Sequence, residues 1–251
     1  MAVVGAGGGI GEAVALAAGA QGAHVACLDI NAAHASAAAE QIKAAGGKAE
    51  SGVMDLTDEA QVNAGFSALA QKHGRLDGLV CTPAVNVRKP ILKYTLAEFD
   101  KVVALNLRGN FAALMSAGRI MTAQGSGSIV LFSSIRSIVT EPGQSVYSMT
   151  KAGILQLAKT AATEWAPQGV RVNAVGPGVV ETPLTAPIKA NAEWYNAYAQ
   201  KAPMNRWAQP SEMAGPTIFL LSDAASYVTG TIIYADGGWL AADGRFTPPG
   251  M

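Results

Sequence analysis

Charge is scarce in this chain. Asp, Glu, Lys and Arg make up only 14% of its 251 residues, against about 25% in an ordinary soluble domain. The charges balance at 18 of each sign, and the Lys and Arg are scattered. That excludes an electrostatic surface for nucleic acid or anionic lipid. Apolar residues reach 50%, yet no uninterrupted 18-residue apolar run occurs, so no membrane-spanning helix is expected. The surplus apolar surface points instead to burial between subunits of a homo-oligomer. Cysteine is limited to Cys27 and Cys81. No His/Cys/acid cluster suggests a metal. The chain enters a strand directly, so no signal peptide is expected. Internal repeats and low-complexity linkers are lacking.

What is there is an alternation. Apolar strands are predicted at 2–4, 23–29, 48–54, 76–81, 127–133, 169–175 and 231–235. Helical stretches lie between them, many closed by glycine (Gly22, Gly46, Gly74, Gly169). The strands are near-continuous apolar runs, as in Gly127-Ser-Ile-Val-Leu-Phe132, and such strands need cover on both faces. One α/β domain over 1–251 follows, a doubly wound parallel sheet of seven strands with helices on both sides. In that topology the first strand separates Cys27 from Cys81 by about 9–10 Å. No disulfide spans that distance, and a reduced, cytoplasmic protein is expected.

The first strand runs into Gly5-Ala-Gly-Gly-Gly9-Ile10-Gly11, which opens a helix. Glycines let a backbone turn tightly and approach a pyrophosphate, which free helix N–H groups stabilise. Asp29 ends the next strand, 18 residues after Gly11 (29 − 11), near the spacing of an acid that hydrogen-bonds an adenosine ribose. The alternative for Asp29 is the N-cap of the helix over 32–45. A carboxylate here repels a 2′-phosphate, and Ala6–Gly8, Ile30 and Asn31 offer no Lys or Arg to receive one. NAD is therefore expected over NADP.

Tyr147 and Lys151 stand four apart, on one face of a helix. Bringing a phenol from a pKa of about 10 to about 7 takes about 4 kcal/mol. One ammonium about 4 Å away supplies that at an effective dielectric of about 20. The serine pair Ser133-Ser134 lies upstream, with Ser134 13 residues before Tyr147 (147 − 134).

Together these features resemble the short-chain dehydrogenase/reductase family, along essentially the whole chain. The glycine turn resembles its Thr-Gly-x-x-x-Gly-Ile-Gly, with Val4 in place of Thr. Asp55-Leu56, Asn106-Leu-Arg-Gly-Asn-Phe111, Pro177-Gly178-Val-Val-Glu-Thr182 and Ser222 to Gly230 followed by Asp236-Gly-Gly238 resemble further family segments in the family's order. The resemblance implies hydride exchange between NAD and a secondary alcohol or ketone. Tyr147 then exchanges the proton, Ser134 hydrogen-bonds the substrate oxygen, Lys151 lowers the Tyr147 pKa and holds a ribose, and Asn106 anchors a water. The implied cofactor residues are Gly5, Gly9, Ile10, Gly11, Asp29, Ile30, Asp55, Leu56, Ala84, Tyr147, Lys151, Pro177, Gly178, Val180 and Thr182. Tetramers are the implied assembly. Where the family carries Asn-Asn-Ala-Gly, this chain has Cys81-Thr-Pro-Ala84. Pro83 removes a donor, and Ala84 takes positive φ less readily than Gly, so this turn is expected to differ. Only Met1–Val4 precede the glycines, and soft hydrogen exchange is expected at Val3 and Val4.

Asn86, Arg88, Arg136, Glu141 and Trp194 are the candidate substrate residues. A pocket lined by them suits a polyol, sugar or sugar acid, with an arginine fork for a carboxylate. The alternative is that Arg136 and Glu141 merely pair with each other at the surface. The segment 183–208 is expected to be a substrate lid, with core or subunit packing as the alternative for its aromatics. The tail 239–251 is expected to reach a neighbouring subunit. A 3-oxoacyl thioester reductase and a non-catalytic NAD sensor are the other readings.

Overall fold

Strand β4 (Gly78–Cys81) is buried at every position, which requires a sheet covered on both faces. The computed structural model describes residues 1–242. Seven parallel strands run in the order β3-β2-β1-β4-β5-β6-β7. They are β1 (Ala2–Val4), β2 (His24–Asp29), β3 (Lys48–Val53), β4, β5 (Gly127–Phe132), β6 (Val170–Pro177) and β7 (Ile232–Ala235). The helices between them are α1 (Gly9–Ala20), α2 (Ala32–Ala44), α3 (Glu59–His73), α4 (Leu96–Val103), α5 (Asn110–Gln124), α6 (Ser145–Trp165), α7 (Ala186–Lys189), α8 (Ala192–Lys201) and α9 (Ala214–Leu221).

Alternate residues of one strand feed opposite cores. Ala2 and Val4 pack with Phe66 of α3, Leu114 of α5 and Ile154 of α6. Val3 packs with Val14 of α1, Ile42 of α2 and Leu220 of α9. Each such fully buried side chain contributes about 1.5–3 kcal/mol. The brevity of β1 is offset by its neighbours, since all three residues pair with both β2 and β4. Strand order reverses between β1 and β4, where an open sheet of this kind leaves a crevice.

The strand bounds differ from expectation by more than one residue at two strands. β4 starts at Gly78, because the Leu76 N–H is taken by the side chain of Gln124 at 3.0 Å. β6 runs on to Pro177, because Gly176 and Pro177 pair with Tyr234 and Ala235 of β7. Cys27 and Cys81 flank β1 as free, buried thiols. Burial pushes them up to about 11 and about 12. Among the described residues no helix is long and apolar enough to cross a membrane. Most of the expected tail, from residue 243 onward, lies outside the described residues.

Candidate active site

The glycine turn leaves α1 without a side-chain cap. Gly8 holds the N-cap position, so the first-turn N–H groups keep no internal partner. They open on a groove of about 460 Å³ lined by Gly5, Gly7 to Gly11, Asp29, Ile30, Asp55, Leu56, Ala84 and Thr182. Two glycines here admit no other residue. A Cβ on Gly11 would stand 1.9 Å from the Gly5 carbonyl oxygen, and one on Gly7 would stand 2.7 Å from Asp29 Oδ2. Asp29 accepts from the N–H groups of Gly7 and Asn31, each at 2.9 Å. It does not cap α2. Asn31 does, accepting from Ala33 and His34. Asp55 is held by Thr57, whose N–H and hydroxyl donate to Oδ1 at 2.8 and 2.7 Å.

Free helix N–H groups, a fixed carboxylate and a glycine floor fit a dinucleotide. Pro177 and Val180 do not line this groove. Pro177 ends β6 against Ala235, and Val180 is buried in the apolar core, bridged to Ala208. Thr82, His34 and Leu184 line it unforeseen. Thr82 is the telling one. Its hydroxyl donates to the Val4 carbonyl at 3.0 Å, which ties the end of β4 to the glycine turn. The unusual Cys81-Thr-Pro-Ala84 turn is thus a staple, and Ala84 keeps a negative φ.

The four catalytic candidates converge from three places in the chain. Ser134 follows β5. Its oxygen accepts from the Arg136 N–H at 3.1 Å, which leaves the hydroxyl hydrogen to donate. Ser133 donates to the Lys151 carbonyl at 2.8 Å and so docks α6 on β5. Tyr147 and Ser134 line one pocket. Lys151 is 3% exposed, and its ammonium donates to the Phe132 carbonyl at 2.8 Å, 5.6 Å from the Tyr147 ring centre. Burial pushes Lys151 down to about 8. Burial also pushes Tyr147 up, opposed by a hydrogen bond from Ser134 and by the charges of Arg136 and Arg88.

Asn106 lies in a π turn, Ala104–Gly109, a distortion frequent at functional sites. Its amide is engaged at both ends. Oδ1 accepts from the Val85 N–H, and Nδ2 donates to the Val85 carbonyl, both at 2.8 Å. Nδ2 also reaches Thr150, whose hydroxyl donates to the Tyr147 carbonyl. The side chain therefore clamps the segment after β4 to α6.

The candidate substrate residues surround a pocket of about 230 Å³ beside Ser134 and Tyr147. Asn86, Arg88, Arg136 and Trp194 line it. Glu141 stands behind them and bridges Arg88 at 2.5 Å and Arg136 at 2.7 Å. Its Oε1 also accepts from Gln144 and from the Tyr198 hydroxyl. Burial raises the Glu141 pKa, but these hydrogen bonds and the Arg136 charge outweigh it and hold the carboxyl below its usual range. The Arg136–Glu141 pair forms, though not at the surface, since the Arg136 side chain is 6% exposed. Trp194 lies under the Arg88 guanidinium at 4.9 Å. Tyr195, Tyr198 and Trp207 pack instead with Ile135, Ile188 and Trp239 in a third apolar cluster. Asn86 Nδ2 donates to Gln144 at 2.9 Å, while its buried Oδ1 has no partner among the described residues. The sequence held no local signal for Gln144 or Tyr198 as members of this network.

A doubly wound parallel sheet with a glycine-lined groove at its switch point defines a dinucleotide-binding protein. The chain belongs to the short-chain dehydrogenase/reductase family: the family model described as enoyl-(acyl carrier protein) reductase matches residues 5–240. It is 36% identical to levodione reductase of Leifsonia aquatica over 96% of this chain and 93% of that protein. It is 35% identical to a 3-oxoacyl-[acyl-carrier-protein] reductase of Thermotoga maritima over 94% and 95%. A gluconate 5-dehydrogenase from Burkholderia cenocepacia, solved with NADP and tartrate, superposes with a TM-score of 0.92 at 30% identity, over 96% of this chain and 95% of that one.

Proposed function

We propose that this protein is an NAD-dependent dehydrogenase acting on a secondary alcohol of a polyol, sugar or sugar acid. The observation that carries the substrate reading is the unpartnered Asn86 Oδ1, buried at the wall of the pocket that holds Ser134 and Tyr147. A buried acceptor without a partner costs about 1–3 kcal/mol. A substrate hydroxyl donating to it recovers that, and a hydrocarbon chain does not. With Arg88 and Arg136 sharing Glu141, the pocket keeps one net positive charge (two guanidiniums less one carboxylate). That suits a neutral polyol or a monoanion.

Tyr147 takes the hydroxyl proton of the alcohol, and Ser134 donates to the same oxygen as its charge develops. Lys151 and Tyr147 would hold the nicotinamide ribose, and the first-turn N–H groups of α1 the pyrophosphate. The bound nicotinamide supplies the hydride acceptor for oxidation and the hydride donor for reduction. Asn106 positions Tyr147 through Thr150. Segment 183–208 is a lid that presents Trp194 to the substrate. What supports NAD is the fixed Asp29 carboxylate and a groove lining without Lys or Arg, although the Burkholderia neighbour carries NADP. Buried, unpaired cysteines support a cytoplasmic protein. Exposed Leu96, Phe111 and Met149 on α4, α5 and α6 supply apolar surface for a tetramer, checked by light scattering.

Turnover on polyols, sugar acids and acetoacetyl thioesters, with both cofactors, tests the reading. NAD⁺-dependent oxidation of a polyol or sugar acid is expected. Faster NADPH-dependent thioester reduction overturns it, and cofactor binding without any turnover would indicate a sensor.

A further inference from the structure

The edge of the sheet opposite the cofactor groove carries a second group of chemically capable side chains. His24 opens β2, Glu50 lies in β3 and His73 ends α3. Ala26 pairs with Glu50 across the two strands, so His24 and Glu50 share a face two positions apart. Gly74, in the left-handed conformation, stops α3 and leaves His73 against the same face. No sequence proximity announced the group, and it runs against the expectation of no metal cluster.

Its geometry is close to a ligand set. His73 Nε2 is 2.5 Å from Glu50 Oε1, and His24 Nε2 is 3.9 Å from the same oxygen. The three ligand atoms all lie within 4.8 Å of one another. Donors at about 2.0–2.1 Å in a tetrahedral site stand roughly 3.3 Å apart, so small side-chain rotations complete the spacing. The imidazoles meet edge to face, 4.6 Å between centres. Lys72 donates to Glu50 Oε2 at 2.5 Å. It orients the carboxylate while leaving Oε1 directed at the histidines. The Met1 amine fixes the His24 carbonyl at 2.8 Å. An adjoining cavity of about 350 Å³ gives an ion and its water a way in.

We propose that His24, Glu50 and His73 form a site for a divalent transition metal, with Zn²⁺ the ion best matched to two imidazoles and a carboxylate. Water completes the coordination. The ion ties the β2–β3 edge to the end of α3 and takes no part in the dehydrogenase chemistry. A hard, oxygen-seeking cation such as Mg²⁺ is a poor match.

Calorimetric titration of the chelator-stripped full chain with ZnCl₂ tests this. One equivalent should bind, and the thermal midpoint should rise with Zn²⁺. His73→Asn and His24→Asn should each weaken binding by more than about tenfold, with NAD⁺-dependent turnover unchanged. His34→Asn, at the remaining histidine, should bind Zn²⁺ as the parent does. Co²⁺ should give the visible spectrum of a tetrahedral site, lost in the same two variants. No Zn²⁺ binding by the parent chain, or equal binding by the double variant His24→Asn/His73→Asn, overturns the site.

Discussion

The cofactor groove and the substrate pocket sit side by side but are built differently. The groove is mostly main chain: glycines, helix N–H groups and two carboxylates, supplied by short contiguous segments. The pocket is mostly long side chains gathered around Glu141 from the loop after β4, the loop after β5, the N-cap of α6 and α8. Backbone geometry tolerates few alternatives, so the groove defines a cofactor class shared across a family. Side-chain networks can be rewired without moving the backbone, so the pocket is where substrate choice is set.

Breaking the chemistry where the two regions meet should have the largest effect. Tyr147→Phe should lower kcat by about a thousandfold while the NAD affinity measured by fluorescence titration stays the same. Next comes the pocket's keystone. Glu141→Ala leaves two guanidiniums facing each other, one nearly buried, and should cost about 3 kcal/mol in urea unfolding. It should raise KM for substrate and leave KM for NAD⁺ alone. The pH dependence sharpens this. The folded Glu141 carboxyl lies below its ordinary 4.5, so its stabilisation is present above that pH and is lost as pH falls through the folded value. The variant should lack this part of the acid-side slope.

On the groove side, Asp29→Ser should shift the NAD⁺ to NADP⁺ ratio of kcat/KM by about tenfold toward NADP⁺, or about 1.4 kcal/mol, with substrate KM unmoved. A shift in substrate KM instead would erase the distinction between the two regions. The smallest effect is expected at the cysteines, whose burial raises both thiols. Alkylating reagent at pH 8 should leave the native protein unmodified and fully active.

Legibility in the sequence followed the same division. Gly5 to Gly11, Asp29 and the Ser134–Tyr147–Lys151 spacing could be read because each is local or sits at a fixed interval. The fold was legible because near-continuous apolar strands alternate with helices. Asn106 was recognised, but its engagement with Val85 was not, because that contact joins segments far apart in the chain. The Thr82 staple across to Val4 and the Tyr198–Glu141 bond were hidden for the same reason. Helical spacing put Lys151 on the face of Tyr147, where its ammonium lies over the ring, but the Phe132 carbonyl that it also meets belongs to a distant strand and was not legible.

The unpartnered oxygen of Asn86 is where the account is most exposed. Wild type and Asn86→Leu should be assayed with NAD⁺ on the best polyol or sugar acid and, with NADH and with NADPH, on an acetoacetyl thioester. The account predicts about a tenfold loss of kcat/KM on the hydroxylated substrate in the variant, an unchanged KM for NAD⁺, and poor thioester turnover throughout. Undiminished activity of the variant on the hydroxylated substrate, or a wild type that prefers the thioester, would contradict it.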